Sequence, residues 1–108
     1  MMMAGKIEMM HMILRVAEGN VEEAERYAKK AHALKTSQKA VADWCVDMAK
    51  HHLEFNEKGC RMLDQICREM EAYSGDMVAA IKAMVKEKRA HLAEETVEVK
   101  IMLEMYDR

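Results

Sequence analysis

Apolar residues recur along the chain at intervals of three and four positions, which is typical of helices that bury one stripe of their surface. In the first third of the chain this spacing continues without a slip across Gly19 and Asn20. We therefore expect one continuous first helix, although glycine in a helix interior costs about 1 kcal/mol relative to alanine. The apolar positions of this helix are Met10, Leu14, Ala17, Val21, Ala24, Ala28 and Ala31.

Two short polar segments interrupt the pattern and indicate turns. Thr36 and Ser37 offer side-chain oxygens for the N-cap of a second helix. Ser74, Gly75 and Asp76 combine a helix-ending glycine with an N-cap for a third helix, supplied by Ser74 or Asp76. The sequence therefore predicts a single domain, residues 1–108, with helices at about residues 4–35, 37–73 and 76–106.

The second and third helices have seams of the same kind, and these seams define the expected core. The seam of the second helix contains Val41, Cys45, Met48, His52, Phe55, Gly59, Met62 and Ile66. That of the third contains Met77, Ile81, Met84, Val85, Lys88, Leu92, Glu95, Thr96, Val99, Met102, Leu103 and Tyr106. We expect the methionines at 48, 62, 70, 77, 84 and 102 to be core residues, and Trp44 to be a boundary core residue or a dimer contact.

Three helices of this length, each about 45 Å long, predict an all-α, up-down-up bundle of antiparallel helices. The absence of proline and an aromatic content of only 5% agree with an all-α class, because a β fold needs aromatic and β-branched runs. Such an elongated bundle has a small core, and we expect dimerisation to complete it.

Charge and cysteine usage exclude several classes of partner. A net charge of −2 provides no overall field that attracts nucleic acid or an anionic membrane, so we expect neither as a partner. Cys45, Cys60 and Cys67 lie on one predicted helix, two or more turns apart, which is too far to form a disulfide. Reduced thiols predict a cytoplasmic protein. The Met-rich start has too short an apolar run for a membrane span and no signal-peptide cleavage pattern.

Polar residues interrupt the three seams at one height. If the chain folds back near residues 36 and 74, His52 lies level with Asn20 and with Glu95 and Thr96. One interpretation is a hydrogen-bonded core layer in which His52 pairs with Glu95 or Asn20. The other is a metal site, because helical bundles gather Glu and His ligands from facing helices. On the third helix the candidate ligands are His91, Glu94, Glu95 and Glu98.

Three stretches of the chain are similar to small bacterial ferritin-like (rubrerythrin-like) helical-bundle proteins. They are "EEAERYAKKA" (22–31), "AVADWCVDMAKHHLEF" (40–55) and "EETVEVKIMLEMY" (94–106). Where the family pattern implies Glu-x-x-His, this chain has "HLEF", with His52 in place of Glu and Phe55 in place of His. The resemblance carries over Glu25, Glu94, Glu95 and Glu98. It implies a mononuclear Fe or Zn site using His52, Glu95 and His91 or Glu98, or a lost metal centre.

Three functions follow from these patterns. The first is a homo-oligomeric structural or interaction module with a lost or remodelled metal centre and no enzymatic site, because no Ser/His/Asp group or Gly-rich phosphate loop is present. The second is an Fe- or Zn-binding protein that uses the polar layer. The third is a phosphocarrier of the lactose/cellobiose transport type, which would require His51 or His52 to be exposed. We expect His52 to face the seam and His51 to flank it, since adjacent helical residues point about 100° apart.

Overall fold

The computed structural model describes residues 3–108 and contains three helices. They are α1 (Met3–Leu34), α2 (Lys39–Met70) and α3 (Asp76–Tyr106), and residues 3–108 contain no strand. The predicted all-α bundle of three helices is confirmed. As predicted, α1 passes through Gly19 and Asn20 without a break. The bundle is elongated, with Cα extents of 56 × 21 × 14 Å.

Contacts between the helix ends give the up-down-up order. The Lys6 ammonium at the start of α1 donates to Glu69 near the end of α2 at 3.0 Å. At the opposite end of the bundle, His32 of α1 contacts the Met102 carbonyl oxygen of α3 at 2.7 Å. Because the late part of α1 meets the late part of α3, these two helices run parallel, and α2 is antiparallel to both.

The predicted helix caps are wrong. Gln38 occupies the N-cap of α2 and Gly75 that of α3, and neither N-cap makes a side-chain hydrogen bond. The backbone N–H of Gln38 instead donates to the carbonyl oxygen of Leu34 at 2.8 Å, so a backbone hydrogen bond closes the turn between α1 and α2. Gly75 has φ 119°, a conformation that residues with a side chain rarely adopt. The chain therefore makes both turns without the predicted Ser, Thr or Asp caps.

The seam of α1 is buried as predicted. All seven of its predicted positions are at most 2% exposed. Near the α1–α2 turn the core consists largely of small residues, and this allows the two helix backbones to approach closely. These residues are Ala24, Ala28 and Ala31 of α1 with Ala42, Cys45 and Ala49 of α2. The other half of the core has larger side chains, including Met10, Leu14, Leu63, Met70 and Leu92.

The predicted seam of α2 is rotated relative to the observed core. Val41, Phe55 and Met62, which the spacing placed inside, are 44%, 58% and 52% exposed. A line of buried residues instead recurs every seven positions along α2, each one residue after a position of the predicted line 41, 48, 55 and 62. Its members are Ala42, Ala49, Asn56, Leu63 and Met70. Small residues on this line fit against the alanines of α1, which explains why α2 turns this side inward. The methionine prediction is wrong at Met62 and also at Met77, which is 61% exposed.

The third helix packs through a stripe along its length and through ion pairs at its edges. Its buried residues are Val78, Val85, Leu92, Thr96, Val99, Leu103 and Tyr106. Lys88 pairs with Glu18 of α1 at 3.3 Å, and Arg89 pairs with Asp64 of α2. Exposed pairs of this kind contribute little stability, so the buried stripe holds α3 in place. Along residues 3–108, none of the helices has a stretch both long and apolar enough to cross a bilayer.

Candidate functional site

The predicted polar layer contains a direct bond between α1 and α2. His52 Nδ1 lies 3.0 Å from Asn20 Oδ1. Because a carbonyl oxygen only accepts, the ring nitrogen donates the proton of this bond. The His52 ring also stacks on Tyr27, with ring centroids 5.7 Å apart and planes 16° from parallel. The predicted pairing of His52 with Asn20 is thus present, and His52 is half-buried between the two helices.

A second polar pair connects α2 to α3. Asn56, only 5% exposed, lies with its Nδ2 atom 3.5 Å from the Thr96 hydroxyl oxygen. Sequence reasoning placed Thr96 level with His52 and did not identify Asn56, because it assigned the core side of α2 to the neighbouring line. The bundle therefore has two polar contacts on separate helix pairs, Asn20 with His52 and Asn56 with Thr96.

The structure does not bring the six predicted metal ligands together. His91 Nε2 is 2.6 Å from Glu95 Oε1 one turn away on α3, and the His91 side chain is 73% exposed. Glu25 pairs with Lys29 at 2.8 Å on α1. Glu94 and Glu98 are exposed on α3, while His52 bonds Asn20. Within residues 3–108 there is no group of three or more His, Cys, Asp or Glu side chains that could hold a metal ion.

The remaining histidine and cysteine candidates also lie apart. His51 is exposed and flanks the seam as predicted, with its Nδ1 atom 3.8 Å from Glu54. All three cysteines are on α2 and unpaired in disulfides, with Cys45 buried and Cys60 and Cys67 half-buried. Burial, together with the nearby Asp64 carboxylate, raises the pKa of the Cys67 thiol. A thiol held protonated is a weak nucleophile and a weak metal ligand at neutral pH.

A cluster around Tyr106 anchors the end of α3 to the start of α2. The Tyr106 hydroxyl donates to Asp43 Oδ1 at 2.6 Å, and the Lys39 ammonium donates to the same carboxylate at 2.8 Å. Hydrogen bonds from Lys39 and Tyr106 lower the pKa of Asp43. The bond to Asp43 raises the pKa of Tyr106, and also that of Lys39. All three groups are satisfied by one another, so the cluster has the character of a structural anchor.

Another feature of the structure is an apolar face on the α1–α2 hairpin. We call it the open face and define it by six large side chains that are 44–58% exposed: Met12, Val16, Val41, Trp44, Phe55 and Met62. Four of them, Met12, Val16, Phe55 and Met62, border a groove that is lined only by residues of α1 and α2, on the side of the hairpin away from α3. Trp44 packs against Tyr27 of α1, and Val41 lies on the same line of α2 as Phe55 and Met62. Each hairpin face is thus apolar, and α3 covers one of the two.

The open face has a groove at one end and a half-exposed tryptophan at the other. The groove has a volume of about 350 Å³ and lies between Met12 and Val16 of α1 and Phe55 and Met62 of α2. Gly59, which also lines it, has no side chain to occupy the space. At the other end of the face, the Trp44 ring packs edge-on against Tyr27, with centroids 5.8 Å apart, and is 54% exposed.

No protein-family model, curated protein or solved structure matches the chain. Function must therefore be argued from the site itself. The sequence contained a signal for the open face that its interpretation missed. On α2 the residues 41, 48, 55 and 62 form one apolar line at intervals of seven, and the line 42, 49, 56, 63 and 70 runs directly beside it. Two adjacent lines predict a helix with neighbours on two sides.

Proposed function

We propose that this protein is a non-enzymatic interaction module that forms a homodimer through its open face. The observation that carries the proposal is the set of six large exposed apolar side chains on the α1–α2 hairpin, on the side away from α3. Large apolar patches on a soluble domain mark sites of association. Trp, Phe and Met are the side chains enriched at the centre of protein interfaces, and all three types are present here.

The area of the open face suits a second copy of the chain. At roughly 100 Å² for each half-exposed side chain of this size, the six residues expose on the order of 600 Å². Two such faces packed together would bury about 1,200 Å² from these residues alone, which is the lower end of the range for stable interfaces. A second copy brings an equal apolar face, and two hairpins packed face to face would form a four-helix core.

The ferritin-like relationship is part of the same proposal. Three long helices and the position of "HLEF" on α2 support it, and a hairpin pair in the dimer would supply the four-helix core that such proteins have. His52 in this arrangement would act as a hydrogen-bonding residue, in agreement with its bond to Asn20 at 3.0 Å. The proposal assigns no reaction to the protein, and its activity would be the presentation of surfaces by the dimer.

The test is the mass of the protein in solution, measured by sedimentation velocity from 1 to 200 µM for three forms. We expect the wild-type protein to be a dimer, and Phe55→Glu to be a monomer because it places a charge in the centre of the open face. Val97→Glu, at a residue of similar exposure that lines the groove between α2 and α3 and lies away from the open face, is the matched control and should remain a dimer. Circular dichroism establishes that all three forms are folded.

Two results would overturn the proposal. One is a wild-type protein that remains monomeric at 200 µM. The other is a folded Phe55→Glu variant that dimerises as strongly as the wild type, because the interface would then lie elsewhere on the molecule.

A further inference from the structure

The open face carries a half-exposed indole and a groove that fit the same partner. Trp44 stands half exposed at one end, and the groove beside Gly59 is open at the other. Building on the dimer proposed above, we propose that two copies pair antiparallel and that Trp44 of each copy inserts its indole into the Gly59 groove of the other. The groove is thus a binding site for an aromatic side chain, and a second copy of the chain supplies it.

Symmetry makes this arrangement self-consistent. In a two-fold dimer the same surface serves both partners, so a projection and its recess must lie on one face at equal distances from the axis. Trp44 and Gly59 are fifteen residues apart on α2, which corresponds to about 22 Å along a helix. An axis that crosses α2 near Leu53 brings Trp44 opposite Met62 at the edge of the groove, and both sites fill at once.

The chemistry of the groove suits an indole ring. Its lining is mainly apolar and includes a methionine from each helix, Met12 and Met62. Thioether sulfurs make favourable contacts with aromatic rings. Phe55 lies on the same side and offers its ring to an edge-on contact of the kind that Trp44 already makes with Tyr27. A groove of about 350 Å³ is also within the range of small-ligand pockets, which starts at about 300 Å³.

The separation of Trp44 from the groove favours the antiparallel orientation. Trp44 and Gly59 lie fifteen residues apart on α2. A parallel two-fold pair would bring Trp44 level with Trp44 and groove level with groove, and neither groove would receive an indole.

The test uses two variants and the fluorescence of Trp44, the only tryptophan of the chain. We expect Trp44→Ala, which removes the indole, and Gly59→Leu, which fills the groove, to weaken the dimer about tenfold each. A Cβ atom at Gly59 would meet only Ile13 Cγ2, at 3.5 Å, so the helix accepts a side chain there. A mixture of the two variants should form the heterodimer preferentially, because it keeps one indole and one open groove that match. The emission of Trp44 should shift to the blue by several nanometres over the concentration range in which the mass doubles.

Outcomes for the dimer and for its arrangement are separable. If the wild type dimerises and Phe55→Glu does not, but Trp44→Ala and Gly59→Leu dimerise as strongly as the wild type, the antiparallel insertion is wrong and the proposed function stands. If the mass doubles while Trp44 emission stays constant, the indole does not enter the groove and the inference is likewise overturned. A wild-type protein that never dimerises removes both proposals.

Discussion

The Nδ1 atom of His52 lies 3.0 Å from the side-chain oxygen of Asn20, and this bond joins the middle of α2 to the middle of α1. It also explains the tolerance of an asparagine beside Gly19 within a long helix, because the Asn20 side chain has a partner across the interface. Half-buried polar groups in such a position are stabilising when paired and costly when one partner is removed.

Removing either partner of this pair should therefore destabilise the bundle. We expect Asn20→Ala and His52→Ala each to lower the free energy of unfolding by about 1 kcal/mol. The double variant should lose less than the sum, with a coupling energy of about 0.5–1 kcal/mol. Urea unfolding at neutral pH, followed by circular dichroism at one fixed protein concentration, measures all four forms. Additive losses would show that the two side chains act independently.

Two glycines should respond in opposite directions to replacement by alanine. A Cβ atom at Gly19 would meet nothing within 4 Å, and the residue lies inside α1. Gly19→Ala should therefore raise the free energy of unfolding by about 0.5–1 kcal/mol. Gly75→Ala is the matched substitution at φ 119°, and it should cost about 1–3 kcal/mol through backbone strain. Thermal unfolding of both variants measures the two effects, and a stabilised Gly75→Ala would contradict this account of the turn.

The Tyr106 cluster should make stability depend on pH in a defined way. The pKa of Asp43 is lowered by the bonds from Lys39 and Tyr106, so its contribution is present above the ordinary Asp value, about 3.8, and is lost as the pH falls below it. The pKa of Tyr106 is raised, so its contribution is present below the ordinary value of 10.0 and is lost as the pH rises through the raised pKa.

The stability difference between the wild type and Tyr106→Phe should therefore be roughly constant from pH 5 to 9 and shrink on both sides of that range. Urea midpoints recorded from pH 2.5 to 11 measure it. Tyr27→Phe, a tyrosine outside the cluster, controls for the loss of a hydroxyl. A difference that persists unchanged at pH 2.5 would show that Asp43 is not the partner that matters.

The metal hypothesis has its own test. His91 and Glu95 form a close pair at 2.6 Å, but residues 3–108 supply no third ligand to it. We expect untagged protein purified without chelator to carry well below one equivalent of Fe or Zn, with His52→Ala and His91→Ala unchanged in metal content. Elemental analysis by mass spectrometry decides this. Near-stoichiometric metal that is lost in His52→Ala would instead support the Fe- or Zn-binding alternative.

The phosphocarrier alternative depends on the two adjacent histidines. His51 is exposed, whereas His52 is half-buried and bonded to Asn20. Only His51 has the access that phosphate transfer requires. This alternative stays a prediction, and its test would be the transfer of phosphate from a carrier protein to His51.

The sequence predicted the buried residues of α1 correctly and those of α2 only in part. On α1 the buried positions are alanines and larger apolar residues at strict spacing, and this line continues along the helix from Met10 to Ala31. On α2 two apolar lines run side by side, and the line with Phe55 and Met62 looks more hydrophobic than the line with Ala42 and Asn56. Side-chain hydrophobicity favoured the first line, and close packing against the alanines of α1 selected the second.

The candidate site shows the same division. The fold-back count correctly brought His52 to Asn20, because helix rise and turn position fix height along a bundle. It also placed Glu95 and Thr96 level with His52. Because α2 is rotated, His52 points toward α1 and bonds Asn20. Thr96 instead bonds Asn56, and Glu95 pairs with His91 on its own helix. The rotation of a helix about its own axis depends on the helices packed against it, and the spacing of apolar residues within one helix carries no information about them.

The sequence alone determined three long helices, the two turns, the continuity of α1 and the height at which His52 meets Asn20. These properties depend on local spacing and on helix geometry, which each segment carries in itself. Only the tertiary structure decided which of two apolar lines on α2 is buried, and so which side of the hairpin is left as the open face. That choice depends on the fit of small side chains between α1 and α2, a property of the pair of helices that neither segment specifies separately.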